Sequence, residues 1–171
     1  GWGLPANQAF PTQLEAVLRA RGHSVRLINA GVAGDTTAGG KARLDWALAE
    51  KPEIVIVELG ANDSMRGVDP KATHANLDNI LTRLKSKGVG ILLAGMLAPP
   101  NLGQEFGREF NSVFPGLARR HNEAFYPFFL DGVAARNTLN QSDGIHPNAR
   151  GVAVIVDRIA PYVVRLLKSR R

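Results

Sequence analysis

The chain has 171 residues, of which 44% are hydrophobic and 21% charged, and its formal net charge is +6. This length suits one domain with a sizeable core, the composition excludes a disordered chain, and no apolar run approaches the roughly 20 residues that span a bilayer. Because there is no cysteine, a disulfide scaffold, a thiolate metal site and a cysteine nucleophile are excluded. We therefore expect residues 1–171 to form a single globular domain that is not an integral membrane protein.

The elements in chain order alternate between short apolar runs and longer segments of helical period. Four runs rich in Val, Ile and Leu predict strands at residues 24–29, 53–59, 89–96 and 124–128. The intervening segments predict helices at residues 6–20, 40–50, 70–87, 104–120 and 148–168. Continuous hydrophobicity in the second and third runs is typical of parallel strands covered on both faces. The pattern predicts an α/β fold with a parallel sheet and with function in the loops at the carboxyl ends of its strands.

The positive charge is concentrated in the last of these helices. Six basic residues lie from Arg150 onward, and Asp157 is the single acidic residue among them. Cations near the end of a terminal helix complement its dipole and keep it soluble, which we favour over a nucleic-acid patch. We therefore expect no nucleic-acid partner. The weaker alternative makes the basic terminal helix an anchor for nucleic acid or an anionic membrane. Its binding would be steeply salt-dependent and would be lost on removal of residues 168–171.

A glycine-rich loop at residues 29–41 follows the first predicted strand. It does not fit a phosphate-binding loop, because Asp35 stands where that motif needs glycine and Ala42 stands where it needs Ser or Thr. We instead expect the Gly34 amide to be free to donate to a ligand, while Asp35 or Thr36 caps the helix that follows.

The loop after the second predicted strand reads Gly60-Ala61-Asn62-Asp63. Its small residues would let a substrate approach the Asn62 amide, which could donate a hydrogen bond to a developing oxyanion. Alternatively, Asn62 and Asp63 simply form a turn, since both tolerate left-handed backbone. These residues alone leave the two interpretations open.

Asp143 and His146 lie three residues apart, just before the terminal helix. The carboxylate could accept from one imidazole nitrogen while the other nitrogen acts as a general base in acyl transfer. On spacing alone a surface turn is favoured, with Asp143 bonded to local backbone, His146 solvated and Pro147 at the first helical position. The other histidines, His23, His74 and His121, show no metal-ligand spacing, so we expect them on the solvated surface and expect neither a metal nor a cofactor.

Taken together, the Gly34 loop, residues 58–63 and residues 143–147 resemble the second, third and fifth sequence blocks of the SGNH (GDSL-type) hydrolases. The similarity covers nearly the whole chain and is strongest to the bacterial arylesterase, acyl-CoA thioesterase and lysophospholipase branch. The resemblance implies a flavodoxin-like three-layer α/β/α fold and hydrolysis of esters or thioesters. It also implies that His146 is the general base, that Asp143 orients it, and that Gly34 and Asn62 donate to the oxyanion.

The first block of that family, Gly-Asp-Ser-Leu, carries the nucleophilic serine and ends the first strand, and it does not occur in residues 1–171. The resemblance places this block a few residues ahead of Gly1, so we expect an N-terminally truncated domain that lacks one central strand. Three explanations stay open: a truncation, a segment missing from the given sequence, or a second chain that associates through the open sheet edge. Ser64 and Ser142 are poor substitutes, because neither position offers the strand-end geometry of the family serine.

The expected function of the parent protein is a serine esterase for small aryl or short-to-medium acyl esters, with thioesters and lysophospholipids within its range. The chain as given is expected to be inactive, and the alternative is a catalytically dead domain that binds a ligand. The apolar loop after the third predicted strand is expected to line the acyl pocket, although it could instead brace the next helix. Its predicted lining residues are Met96, Leu97, Pro99, Pro100 and Leu102. The resemblance favours a periplasmic or secreted location.

Overall fold

The computed structural model describes residues 1–170 and confirms the α/β class. The strands are β1 (Ile54–Glu58), β2 (Gly90–Ala94) and β3 (Ala124–Tyr126). The helices are α1 (Phe10–Ala20), α2 (Thr37–Ala42), α3 (Leu44–Ala47), α4 (Ala61–Met65), α5 (Pro70–Ser86), α6 (Gln104–His121) and α7 (Ala149–Ser169), with 3₁₀ turns at Ala6–Gln8, Pro100–Leu102 and Asn137–Leu139. Within the described residues, no helix has the length and hydrophobicity needed to cross a membrane. Arg171, one of the six basic residues from Arg150 onward, lies outside the described residues.

The chain divides into two compact units. One comprises Gly1–Ala33 and Leu130–Arg165, and the other comprises Gly34–Phe129 with the chain from Leu166 onward. In the first unit, α1 and α7 each have a buried apolar stripe. It comprises Leu14 and Leu18 in α1, and Val152, Ile155, Val156 and Ile159 in α7. The spacing of these residues places each set on one helical face, as the periodicity predicted.

The second unit contains a three-stranded parallel sheet in the order β1-β2-β3. All five residues of β2 are buried, as expected for a central strand. The prediction that β1 is also an interior strand is wrong, because four of its five residues are only half-buried. Among residues 1–170, β1 is paired along one edge only, so its open edge and flanks are less covered than those of β2.

Helix α5 of this unit begins and ends where its sequence signals indicate. The Asp69 side chain accepts from the Lys71 N–H at 2.8 Å, and Pro70 occupies the first helical turn of α5. The helix contacts α6 and β2 through a fully buried stripe of Leu77, Ile80, Leu81 and Leu84. Gly88, with φ +70°, follows its end. Helix α5 therefore packs between α6 and the central strand of the sheet.

The predicted strand at residues 24–29 does not form. This segment of the first unit is not assigned to any strand, and no other strand of residues 1–170 pairs with it. Side chains of α1 form hydrogen bonds with the backbone of this segment instead. The Glu15 carboxylate accepts from the Leu27 N–H at 2.6 Å, and Arg19 Nε donates to the Val25 carbonyl at 2.8 Å. The prediction is wrong because an apolar run becomes a strand only where a neighbouring strand supplies ladder hydrogen bonds.

The helix predicted at residues 40–50 is two short helices, α2 and α3, and it begins three residues earlier than expected. The Thr36 hydroxyl accepts from the Gly39 N–H at 3.3 Å. The predicted capping of this helix by Asp35 or Thr36 is thereby confirmed for Thr36. This cap positions the glycine-rich loop immediately before the helix.

Candidate active site

The structure brings Asp143 and His146 together on one turn of the first unit. Asp143 Oδ2 lies 2.7 Å from His146 Nδ1, while Oδ1 accepts the backbone N–H groups of Ile145 at 2.9 Å and His146 at 3.0 Å. Gly144, with φ +70°, lets the chain turn between them. One carboxylate therefore makes both the local backbone bonds of a surface turn and the imidazole bond of a catalytic pair.

The electrostatics of this turn keep Asp143 ionised. The backbone N–H of His146 is the largest cause that lowers the pKa of Asp143 to about 2, followed by the His146 ring and the Ile145 N–H. An ionised carboxylate can only accept, so it holds the imidazole proton on Nδ1 and leaves Nε2 as the basic nitrogen. Nε2 has no hydrogen-bond partner within residues 1–170, and 41% of the His146 side chain is exposed.

Two residues that the sequence did not indicate support this turn. The Gln141 N–H donates to the His146 carbonyl at 2.7 Å, and its side-chain amide donates to the carbonyls of Pro147 at 3.0 Å and Trp2 at 2.7 Å. The Trp2 ring lies 6.1 Å from the His146 ring, measured between centroids. The contacts of Trp2 join residues far apart in the chain, so no local pattern could have shown them.

Pro147 is not the first residue of the terminal helix, contrary to the prediction. Helix α7 begins at Ala149, and the Asn148 side chain accepts from the N–H groups of Arg150 and Gly151, both at 3.0 Å. Asn148 is therefore the capping residue, and its side chain satisfies two donors that the helix leaves open. Pro147 instead pairs with Asn140 in an isolated antiparallel bridge.

Gly34 and Asn62 are linked through Asp35 in the second unit. Gly34 is exposed and has φ +76°, and within the described residues its N–H donates to no other group. Asn62 lies in the short helix α4 rather than in a simple turn, and its Nδ2 donates to the Asp35 carbonyl at 2.9 Å. An amide nitrogen carries two hydrogens, so this bond orients the Asn62 side chain and leaves one hydrogen for a ligand.

The neighbouring Asp63 is a buried anchor for the same loop. Asp63 is only 1% exposed. One oxygen accepts the Thr37 N–H at 2.8 Å, and the other accepts the hydroxyls of Thr37 and, at 3.3 Å, Thr73. The sequence suggested only a turn-forming role for Asp63. Through these hydrogen bonds, Asp63 of α4 connects the start of α2 with α5. The Gly34 loop, which leads into α2, is thereby held beside Asn62.

The loop after β2 borders a groove of about 510 Å³ in the second unit. The groove is lined by Ala98, Pro99, Pro100, Gly103, Gln104, Gly107, Arg108 and Asn111. Of the predicted lining residues, Pro99 and Pro100 border it, whereas Met96 is buried, Leu97 is 44% exposed and Leu102 is half-buried. The Asn111 side-chain carbonyl accepts from the Ala98 N–H at 2.8 Å, so α6 holds this loop. Contact of these residues with a substrate stays a prediction.

Other candidate side chains are occupied in structural contacts. Ser64 is 1% exposed, and its hydroxyl donates to the Ala61 carbonyl at 2.8 Å. The expectation that His121 is solvated is wrong: its side chain is 10% exposed and its Nε2 donates to Asp78 at 2.7 Å. The sequence could not show this, because the two residues lie on different helices. Within residues 1–170, no group of three or more carboxylate and imidazole side chains is placed to hold a metal ion.

Comparisons with known proteins agree with the resemblance seen in the motifs. The model of the GDSL-like lipase/acylhydrolase family matches residues 1–154. The chain is 37% identical over 166 residues to an esterase, TesA, of Pseudomonas aeruginosa, covering 96% of this chain and 83% of that protein. It is 33% identical over 168 residues to an arylesterase of Vibrio mimicus, covering 98% of this chain and 84% of the relative.

Solved structures of related esterases have the same fold. A crystal structure of TesA superposes with a TM-score of 0.90 at 36% identity, covering 96% of this chain and 92% of that one. The SGNH-hydrolase family esterase AlinE4 gives a TM-score of 0.81 at 45% identity, covering 98% of this chain and 90% of that one. On the strength of the family match and these relatives, the chain belongs to the GDSL-like lipase/acylhydrolase family.

Proposed function

We propose that the protein is a serine carboxylic ester hydrolase that acts on small aryl or short-to-medium acyl esters, with thioesters and lysophospholipids within its range. The observation that carries the proposal is the Asp143–His146 pair, in which a 2.7 Å bond occupies Nδ1 and leaves Nε2 unbonded and accessible. Family membership and the names of the relatives, esterase and arylesterase, support the same chemistry.

In the proposed mechanism, a seryl hydroxyl attacks the ester carbonyl while His146 Nε2 accepts its proton. The negative charge that develops on the carbonyl oxygen is stabilised by the Gly34 N–H and the second hydrogen of the Asn62 amide. The bond to the leaving group then breaks, and His146 returns the proton to the departing alkoxide. Water attacks the acyl-enzyme with His146 again as the base, which releases the carboxylic acid and restores the serine.

The family resemblance assigns the seryl hydroxyl to a Gly-Asp-Ser-Leu block, which residues 1–171 do not contain. Among the serines of the chain, Ser64 is buried with its hydroxyl bonded to Ala61, so it offers no free nucleophile. The alternative function is a ligand-binding domain of the same fold without catalysis.

The acyl portion of the substrate is assigned to the groove beside the loop after β2. Its walls include the rigid rings of Pro99 and Pro100, and its volume of about 510 Å³ lies within the range of small-molecule sites. Arg108 also borders the groove. A cation beside the proline rings would favour substrates with a polar or anionic group beyond the acyl chain.

The experiment compares the 171-residue chain with a serine-bearing chain, defined as residues 1–171 preceded by a strand that ends in Gly-Asp-Ser-Leu a few residues before Gly1. Hydrolysis of p-nitrophenyl acetate, butyrate and octanoate is measured, with a Gly-Asp-Ala-Leu version as the matched control. We expect activity in the serine-bearing chain only, with the other two lower by about 10⁶-fold, the scale of nucleophile removal in a triad.

Labelling by a fluorophosphonate provides the independent readout. The serine-bearing chain should be labelled stoichiometrically, and the 171-residue chain should not. Stoichiometric labelling of the 171-residue chain would overturn the assignment of the nucleophile. A folded serine-bearing chain that neither hydrolyses esters nor reacts with the probe would refute the esterase and support the ligand-binding alternative.

A further inference from the structure

Helix α4 holds the glycine-rich loop through two side chains, of which the proposed mechanism uses only one. Asn62 and Arg66 lie four residues apart, at the start and just after the end of the helix, so they share one face of its single turn. Asn62 Nδ2 donates to the Asp35 carbonyl at 2.9 Å, and Arg66 Nη2 donates to the Gly34 carbonyl at 2.8 Å. Two consecutive carbonyls of the loop are therefore held by one helical face.

The two ends of this loop are held very differently. On the side that leads into α2, the Asp35 carboxylate binds Arg43 Nε at 2.5 Å, and Thr37 is bonded to the buried Asp63. Gly34 is exposed, and Arg66 is the one side chain of residues 1–170 that bonds to it. Since glycine has the widest conformational freedom of any residue, the direction of the Gly34 N–H depends on what holds its peptide groups.

We propose that Arg66 is a positioning residue for the oxyanion site, which it orders by holding the Gly34 carbonyl so that the Gly34 N–H keeps the direction needed by the developing charge. The inference rests on the proposed function of Gly34. Arg66 touches neither the substrate nor the reacting atoms in this account. The carbonyl and the N–H of Gly34 belong to the two peptide groups that meet at its Cα, so Arg66 acts on the N–H by restricting the backbone dihedral angles of Gly34. Preorganised donors of this kind stabilise the charge that develops in acyl transfer.

The kinetic test uses Arg66→Met in the serine-bearing chain, because methionine keeps much of the apolar stem and removes the donor. We expect kcat for p-nitrophenyl butyrate to fall about tenfold while KM and the midpoint of the pH–rate profile stay unchanged, since only transition-state stabilisation is weakened. Arg66→Lys, which keeps a donor, should recover part of the loss. Asn62→Ala supplies the scale, with an expected loss of about 10²-fold or more.

Arg119→Met is the matched control, because Arg119 is an exposed arginine of the same unit with no side-chain partner within the described residues. It removes the same charge and should leave kcat unchanged. The urea midpoint is measured for every variant. A fall in kcat that is matched by Arg119→Met, or that Arg66→Lys does not reduce, would overturn the proposal, as would an Arg66→Met variant within twofold of the parent.

A second readout does not depend on catalysis. In the 171-residue chain, the ¹⁵N order parameter of the Gly34 amide should fall in Arg66→Met and stay at the parent value in Arg119→Met. An unchanged order parameter would overturn the proposal that Arg66 holds Gly34, even if kcat fell. Failure of the unsubstituted serine-bearing chain to hydrolyse esters would refute the proposed function instead, and the order parameter would still decide whether Arg66 holds Gly34.

Discussion

Two aspartate–histidine pairs in this protein have the same oxygen–nitrogen distance and different surroundings. Asp143 and His146 lie three residues apart on one turn, with 38% and 41% of their side chains exposed. Asp78 and His121 lie 43 residues apart on α5 and α6, with 27% and 10% exposed. Both pairs meet at 2.7 Å. The distance therefore does not distinguish a candidate catalytic pair from a tie between two helices.

The two pairs differ in the exposure of the histidine and in the charged groups around the carboxylate. The Asp78 carboxylate also lies 3.7 Å from Arg120 Nε, and Lys85 donates to the His121 carbonyl at 2.6 Å, so this pair is part of a network across α5 and α6. A histidine enclosed in such a network cannot meet a substrate. His146, by contrast, presents a free Nε2 to its surroundings. A proton acceptor needs both an orienting partner on one nitrogen and an open approach to the other.

The largest expected difference between the pairs is catalytic. In the serine-bearing chain, His146→Ala should lower kcat/KM for p-nitrophenyl butyrate by about 10⁵ to 10⁶-fold, because the general base is removed. His121→Ala should leave kcat/KM within about threefold of the parent. Steady-state hydrolysis measures both. Comparable losses in the two variants would show that the Asp78–His121 pair also contributes to the reaction.

The next difference concerns stability and should have the opposite order. His121→Ala should lower the free energy of unfolding by about 1–3 kcal/mol, because it removes a mostly enclosed side chain and its charge-assisted bond to Asp78. His146→Ala should change it by less than about 0.5 kcal/mol, as expected for an exposed side chain. Urea denaturation of the 171-residue chain, followed by circular dichroism, measures both. A larger loss in His146→Ala would contradict this assignment.

The smallest expected difference is in the titration of the two carboxylates. The His146 N–H lowers the pKa of Asp143 to about 2, and the hydrogen bond from the His121 ring lowers the pKa of Asp78 below its ordinary value of 3.8. Carbon-13 titration of the carboxyl groups should place the Asp143 midpoint at about 2. For Asp78, a depressed folded pKa means that its stabilising contribution is complete above the unfolded pKa and is lost as the pH falls through the folded pKa.

The stability deficit of Asp78→Asn should therefore be largest near neutral pH and should shrink in acid. Urea midpoints of the parent chain and the variant, measured from pH 7 down to pH 3, test this. Asp45→Asn serves as the control, because the Asp45 side chain is 77% exposed in its ion pair with Arg83 and such pairs contribute little. A deficit that grows as the pH falls would contradict the assigned direction.

Local signals in the sequence predicted most elements because their causes are local. The Pro70 start, the apolar stripe from Leu77 to Leu84 and the Gly88 stop of α5 all act within a few residues of one another. The spacing of Asp143 and His146 likewise shows that the two side chains can meet. It cannot show that they do, because a solvated turn of the same sequence satisfies the same local rules.

Contacts between distant segments caused the errors. The apolar run at residues 24–29 predicts a strand, but it forms none, because no strand of residues 1–170 pairs with it. His121 was expected in solvent, yet its partner lies on another helix. Asp63 looked like a turn former, yet it is buried against Thr37 and Thr73. Each outcome depends on a partner that no nearby residue specifies.

The amino-acid sequence was enough to predict the α/β class, the family resemblance carried by three ordered motifs, and a spacing at which Asp143 and His146 can meet. The folded structure was needed to show that Arg66 and Asn62 bind the consecutive carbonyls of Gly34 and Asp35, and that Asn111 binds the loop after β2. These hydrogen bonds join groups 13 to 32 residues apart in the sequence. They form only when packing of the core has already brought their donors and acceptors together.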